Sequence, residues 1–490
     1  MTPGPRGETR DERTVDRRRF LAASAAAGGI VIAGCLDGDD ADDVPGEEPD
    51  DGDDGDTPED ALTLMTYEGL EEGDPTEHDE PVGIEMVLNY LIEEFEEETG
   101  IEVEHQSISI EEWRTQGPTI VGASDGPVVS ETMGGPGEIG TFISEGHLLP
   151  LDNHVDESLV ETRDVTGWQF EDGNLLRFGS GEVYGIPHYM SGLPLWFNVP
   201  VLEEAGVDYE RLRHANDVTL EEFEGICEDV LDAGYTPLAL GNRVGGHIPY
   251  MMSFAVNKTV GHEEVFDVLD PETDRQINDE EFVDALGIFE DWWQREFIND
   301  DTLALDEDEG QTYFFQNEAA FMSDGIWIGY LWDAVSDPDD LGPMGEGWDY
   351  MWWPYRPDVY EEGRHELLGF NVGAYSISST AEEQGLLDEA IEWLDFYMSE
   401  ETAEFRAEHM DRIPSHEDVP PTAGPVQEAM HADLTAEENV QAWRTDVILL
   451  PAFGEALRDG GQSMLEGDAT PQEVLDDAQE ALESAQEQHT

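Results

Sequence analysis

The sequence predicts an α/β protein built as two lobes, and three observations carry that reading. After residue 60 the chain opens with a β-type run, Ala61 to Tyr67. A helical face follows (Met86, Val87, Tyr90, Leu91, Phe95), then an alternating strand from Ile101 to Ile108. Strand, helix, strand is the unit of a parallel α/β sheet. The roughly 430 residues beyond the first sixty exceed what one core usually holds, so two lobes are expected. Third, 39% of the residues are hydrophobic despite the high charge, which a disordered polyanion would not show.

Each element has a local cause. Thr99-Gly100 ends the first helix with a glycine cap. Pro127 to Glu131 reads as a strand, followed by a Gly-rich turn and a helix around Ile139 to Glu145. A helix over 219–234 begins with Thr219 as N-cap and Glu222 three residues on, a capping box. Its stripe Leu220, Phe223, Ile226, Val230 takes in Cys227, which reads as a small core residue. Further helices are expected over 280–297, 384–398, 400–410 and 471–486, and an aromatic strand over Tyr350 to Tyr355. The sheets are expected to be mostly parallel, and no internal repeat is visible.

The first sixty residues address the chain to a compartment. Arg17 and Arg18, in Asp16-Arg-Arg-Arg-Phe-Leu21, form a twin-arginine signature ahead of an Ala/Gly-rich run too short to span a bilayer. The run stops at Ile32-Ala-Gly-Cys35, which resembles a lipobox, so residues 1–34 read as a signal peptide and Cys35 as the lipidated N-terminus. Asp37 to Asp60 holds 14 acidic residues among 24, so 35–60 reads as a solvated tether. With Cys35 lipidated, Cys227 has no disulfide partner.

The chain carries 117 acidic and 21 basic residues, a formal net charge of −96, and Lys258 is its one lysine. Such a field repels nucleic acid and anionic membrane, leaving the lipid anchor as the membrane contact. An acidic, lysine-poor globular chain resembles the proteins of halophiles, in whose multimolar salt the Debye length is about 3 Å or less.

Several motifs carry no chemistry. Gly135-Pro-Gly-Glu-Ile-Gly140 matches the dinucleotide pattern, but a nucleotide has no place outside the cell, and a Gly-rich turn exposing N–H groups is the better reading. Gly122-Ala-Ser-Asp-Gly126 precedes Pro127 and a strand where a nucleophile elbow needs a helix. The histidines show no zinc spacing, and Asp306-Glu-Asp-Glu309 lacks the glycine of a calcium loop. No cofactor, metal or catalytic set is implied.

A series of landmarks appears in order along the chain. These are Phe95-Glu-Glu-Glu-Thr-Gly-Ile-Glu-Val103, Gly126-Pro-Val-Val129, Gly146-His-Leu-Leu-Pro-Leu151, Tyr184-Gly-Ile-Pro187 and Leu195-Trp-Phe-Asn198. Asn317 to Trp327, Gly369 to Ser378, Ile391 to Tyr397 and Gly467-Asp-Ala-Thr470 complete it. The set resembles the extracellular solute-binding proteins of ABC importers, the sugar-binding family typified by maltose-binding protein, here of haloarchaeal type. The resemblance implies a two-lobe periplasmic-binding-protein-like (type II) fold, with lobes 61–190 plus 368–425 and 191–367 plus 426–490 joined by hinge crossovers. It implies a monomer that captures an extracellular sugar or oligosaccharide by lobe closure and hands it to permease subunits. Alternatives are a polyamine, metal chelate or sugar phosphate on the same fold, or an exported hydrolase. Two departures stand out: Val128 replaces the usual Asp after Pro127, and Gly454 stands where maltose binders carry Trp, so maltose is not the expected solute.

Sugars are held by aromatic faces with carboxylates, amides and Arg on their hydroxyls. Trp327, after Asp324-Gly325, falls where the family supplies a stacking aromatic. Ligands of open α/β sheets sit at the carboxyl ends of strands, which selects Tyr67 and Glu68, and then Glu131 and Thr132. Tyr189, His247 and Asn371 flank expected crossovers or glycine turns, and Trp353 lies in the aromatic strand, where a core role is an equal alternative.

Overall fold

A computed structural model describes residues 61–490, except 79–80, 136, 157–158, 160–181, 244, 270–272, 329–340, 411, 417, 423 and 490. Arg17, Arg18, Cys35 and the acidic segment lie outside the described residues.

The first lobe is organised on β1 (Leu62–Thr66), which pairs in parallel with β2 (Val103–Ser107) and β3 (Val129–Thr132). Between β1 and β2 runs α1 (Ile84–Thr99), burying Ile84, Val87, Leu88, Leu91 and Phe95; Gly100 closes it at φ +76°. Between β2 and β3 lies α2 (Ile110–Val121), started by Ser109, whose hydroxyl accepts from the Glu112 N–H at 3.2 Å. Periodicity missed α2, because Gly117-Pro118 near its end reads as a break. After β3 come a glycine turn and α3 (Gly140–Ser144), then β4 (Ile186–Gly192).

The chain then crosses into a second sheet through β5 (Leu195–Asn198) and α4 (Val199–Ala205). There follow α5 (Leu220–Ala233), β6 (Thr236–Ala239), α6 (His247–Thr259), α7 (Glu263–Leu269), α8 (Glu280–Gln294), α9 (Glu307–Phe315), β7 (Ala319–Ser323) and β8 (Trp348–Met351). The strand order is β6-β7-β5-β8. Thr219 caps α5 as expected, accepting from the Glu222 N–H at 3.2 Å, and Cys227 is buried in the core. The acidic run at Asp306 is the capping box of α9: Asp306 accepts from the Glu309 N–H, and Glu309 from that of Asp306.

The long β9 (Glu366–Ile377) returns to the first sheet, entering antiparallel between β3 and β4. It leads through α10 (Ala381–Gln384), α11 (Leu387–Tyr397) and α12 (Glu400–His409) to β10 (Ile413–Pro414), then α13 (Pro425–Leu434) and β11 (Val440–Ala442). The first sheet therefore runs β10-β4-β9-β3-β1-β2, with β11 beside β9. Both sheets are mixed rather than mostly parallel, because returning strands run against the αβ units. The last helices, α14 (Thr445–Ile448), α15 (Pro451–Glu466) and α16 (Pro471–His489), include α15, which packs on α6 and α16.

Lys258, at the end of α6, is 2% exposed, and its Nζ donates to Gly363 O at 2.8 Å and to Glu366 O. Burial lowers its pKa to about 7. It thereby ties the second-lobe helix α6 to the first residue of β9. No described helix is long and apolar enough to cross a membrane.

Candidate functional site

Parallel pairing puts the carboxyl ends of β1, β2 and β3 on one edge, and polar side chains gather there. Glu68 Oε1 accepts from Arg412 Nη1 at 2.7 Å, with the two side chains 14% and 8% exposed. The Arg412 guanidinium also lies 4.8 Å from the centre of the Tyr189 ring, a cation–π contact. Glu131, at the end of β3, is 1% exposed; its Oε1 lies 3.1 Å from His188 Nε2, and its Oε2 accepts from the Tyr67 N–H at 3.3 Å.

The electrostatics follow from burial. The Glu68 carboxyl is raised above its usual range by desolvation and then by the Glu131 carboxylate, with Arg412 opposing. Glu131 is raised by burial, again against Arg412. His188 is pushed down by burial and by Arg406, so it stays neutral, stacked on Tyr375 at 4.7 Å. Tyr67 presents its ring edge-on to Trp113 at 5.7 Å, while its hydroxyl is buried with no hydrogen-bond partner among the described residues. Two carboxyls, a guanidinium and two tyrosine rings are thus grouped at one sheet edge, a set suited to hydroxyl-rich solutes.

The second lobe presents its own polar face. Asp324, just past β7, accepts from the Gly325 N–H at 2.6 Å and from the Gln311 amide. Burial and Glu307 raise its pKa. His247 is buried at the start of α6, with Nδ1 2.6 Å from Gly241 O and Nε2 3.8 Å from Glu307 Oε1. The indole of Trp327 folds back over Gly325, where an added Cβ would meet ring atoms at 2.2 Å, and it is half-buried against the core. Between the two faces lie the ion pairs Arg114–Glu138 at 2.9 Å and Arg444–Asp446, with Arg444 4.1 Å from the centre of the Tyr250 ring. The Gly137 N–H donates to Val447 O at 3.0 Å, so the glycine turn after β3 touches α14.

Of the residues selected from sequence, Tyr67, Glu68, Glu131 and Tyr189 come together, while His247 and Trp327 lie on the second-lobe face. Thr132 is buried within the first sheet, bonded to Ala374 O at 3.2 Å and Ser376 Oγ at 2.8 Å. Trp353 stacks on Phe254 at 3.7 Å, between that ring and Trp292. Asn371 pairs with Met190 in β9; its side chain is outside the described set. Sequence reasoning missed Arg412, His188 and the Arg114 and Arg444 pairs. One signal was available: among so few basic residues, each arginine in the folded region could have been weighed singly.

Two mixed α/β lobes with polar and aromatic faces meeting between them define a two-lobe binding protein. The chain belongs to the bacterial extracellular solute-binding protein family, whose profile matches residues 86–404. It is a solute-binding protein, not an enzyme. Among solved structures it is similar to a chitin oligosaccharide binding protein, at 20% identity and TM-score 0.68, covering 87% of this chain and 98% of that one. It is also similar to the maltose/maltodextrin-binding domain of Bdellovibrio bacteriovorus bound to maltotriose, at 17% identity and TM-score 0.62, covering 87% and 100%. A third is an ABC transporter solute-binding protein of Thermotoga lettingae bound with α-D-tagatose, at 20% identity and TM-score 0.64, covering 86% and 99%. No curated protein matches the sequence.

Proposed function

We propose that this protein is the carbohydrate receptor of an ABC importer. It is exported through Arg17 and Arg18, anchored by lipid on Cys35 and monomeric outside the cell, in a haloarchaeal setting. The solute lies between lobes comprising 61–190 plus 368–425 and 191–367 plus 426–490. Closure on the solute shifts an open–closed equilibrium, and the closed form engages the permease subunits. The observation that carries this reading is the grouping of Tyr67, Glu68, Glu131, Tyr189 and Arg412 at one sheet edge, carboxyls and guanidinium beside aromatic rings. Two of the similar structures hold sugars, α-D-tagatose and maltotriose, in agreement with it.

Titration calorimetry against mono- and disaccharides in multimolar KCl tests it. We expect saturable binding, and Trp327→Ala to weaken it by about 1–3 kcal/mol if that indole stacks on a ring. Absence of binding by every carbohydrate tested would refute the substrate class.

A further inference from the structure

Between α2–α3 of the first lobe and α14–α15 of the second lies a cavity lined by Trp113, Phe142, Glu138, Asp446, Gly454 and Arg458, among others. Gly454 makes the room: a Cβ there would come within 3.4 Å of Arg458 Nη1. Where the family resemblance expects a large stacking aromatic, this chain leaves a gap and exposes a guanidinium to it. Two other arginines stand close, but both are taken, Arg114 by Glu138 and Arg444 by Asp446.

Arg458 is different. It is half-buried and makes no hydrogen bond or ion pair among the described residues. Glu455, one turn earlier on α15, is exposed and makes no bond to it. Burial and then the charge of Arg114 lower the Arg458 pKa, with the carboxylates of Asp446 and Glu138 opposing them. The carboxylates of Glu138 and Asp446 line the same cavity and act on Arg458 from a distance, but both are bonded to other arginines, so its N–H donors stay open to a two-oxygen anion, which a guanidinium binds bidentately. The long-range repulsion of a net −96 chain is screened in concentrated salt, whereas a partly buried contact is screened less.

We infer that the solute is an anionic sugar, whose carboxylate or phosphate is received by Arg458 while its ring and hydroxyls lie toward Tyr67 and the Glu68–Arg412 pair. Tyr67 joins the two regions, since its ring meets Trp113 on the cavity wall. This inference rests on the carbohydrate reading and narrows it. It also revises the weight given to the scarcity of basic residues, since three of the few arginines converge on this place.

The test is calorimetric titration of the mature protein in multimolar KCl with matched pairs: glucose and glucuronate, galactose and galacturonate, their short oligomers, and the hexose phosphates. At least one acidic member is expected to bind about tenfold or more tighter than its neutral partner. Arg458→Gln is expected to erase that preference while keeping the neutral affinity and the melting temperature; Arg458→Lys should retain part of it. Which acid gains identifies the anion as carboxylate or phosphate. Neutral sugars binding as tightly as their acids would overturn the anionic assignment and leave the carbohydrate receptor standing. A preference that survives Arg458→Gln would overturn the role of Arg458. Failure of all sugars, charged and neutral, would overturn both readings. The wild-type comparison decides the solute class even if a variant folds poorly.

Discussion

Tyr67 and Trp353 are both aromatics at or just past strand ends, and burial separates them. Trp353 is sandwiched between Phe254 and Trp292, so Trp353→Ala should cost about 3–5 kcal/mol of stability while leaving solute affinity within roughly twofold. A variant that melts like the wild type but has lost affinity would contradict this. At Glu131 the sign runs the other way. Its pKa is raised in the folded protein, so its contribution to stability is full below the ordinary carboxylate range and is lost as pH rises through the folded value. Glu131→Gln removes that loss, so the variant should melt higher than wild type at neutral pH, by on the order of 2 °C, with the gap closing in acid. Equal gaps at both pH values would refute the assignment. Strand-end reasoning selected Tyr67, Glu68 and Glu131 because each closes or follows a short β run, and the fold brings them together. Arg412 was not legible, since it reaches Glu68 from 344 positions away, a meeting that only the packed fold creates.

Among the elements, those with strong local signatures were readable: α1 with its glycine cap, α5 with Thr219, β1 as a short β-type run and β2 by alternation. The mixed sheets were not, because the direction of β9 is decided by where the crossover lands and not by its own residues. The capping box at Asp306 was visible as an acidic cluster, yet its meaning needed the helix behind it. The glycine turn after β3 shows what the nucleotide-like pattern, set aside from the sequence, is built for: its glycine serves packing within the chain. An added Cβ at Gly137 would stand 2.0 Å from Asp446 O and 2.5 Å from Leu449 O, both backbone atoms. Gly137→Ala should therefore push the turn away from α14, cost about 1–3 kcal/mol, and weaken solute binding. Thermal melts and titration on this variant measure both, and unchanged values for each would show that the contact is dispensable.

For the whole molecule, charge is the dominant variable. At a formal −96, self-repulsion opposes the compact state until salt screens it. The melting temperature should thus climb steadily from dilute buffer to multimolar KCl; a flat response would mean that repulsion is offset within the fold. The surface was legible from composition alone, whereas the pairing of its few cations was not. Those cations are placed sparingly, and Lys258 is the extreme case, the sole lysine and one held by two backbone carbonyls. An acylating reagent therefore finds a single internal amine, neutral above about pH 7, and reaches it when α6 parts from the base of β9. The chain carries a built-in chemical clock for that opening, readable by mass as one group added at Lys258.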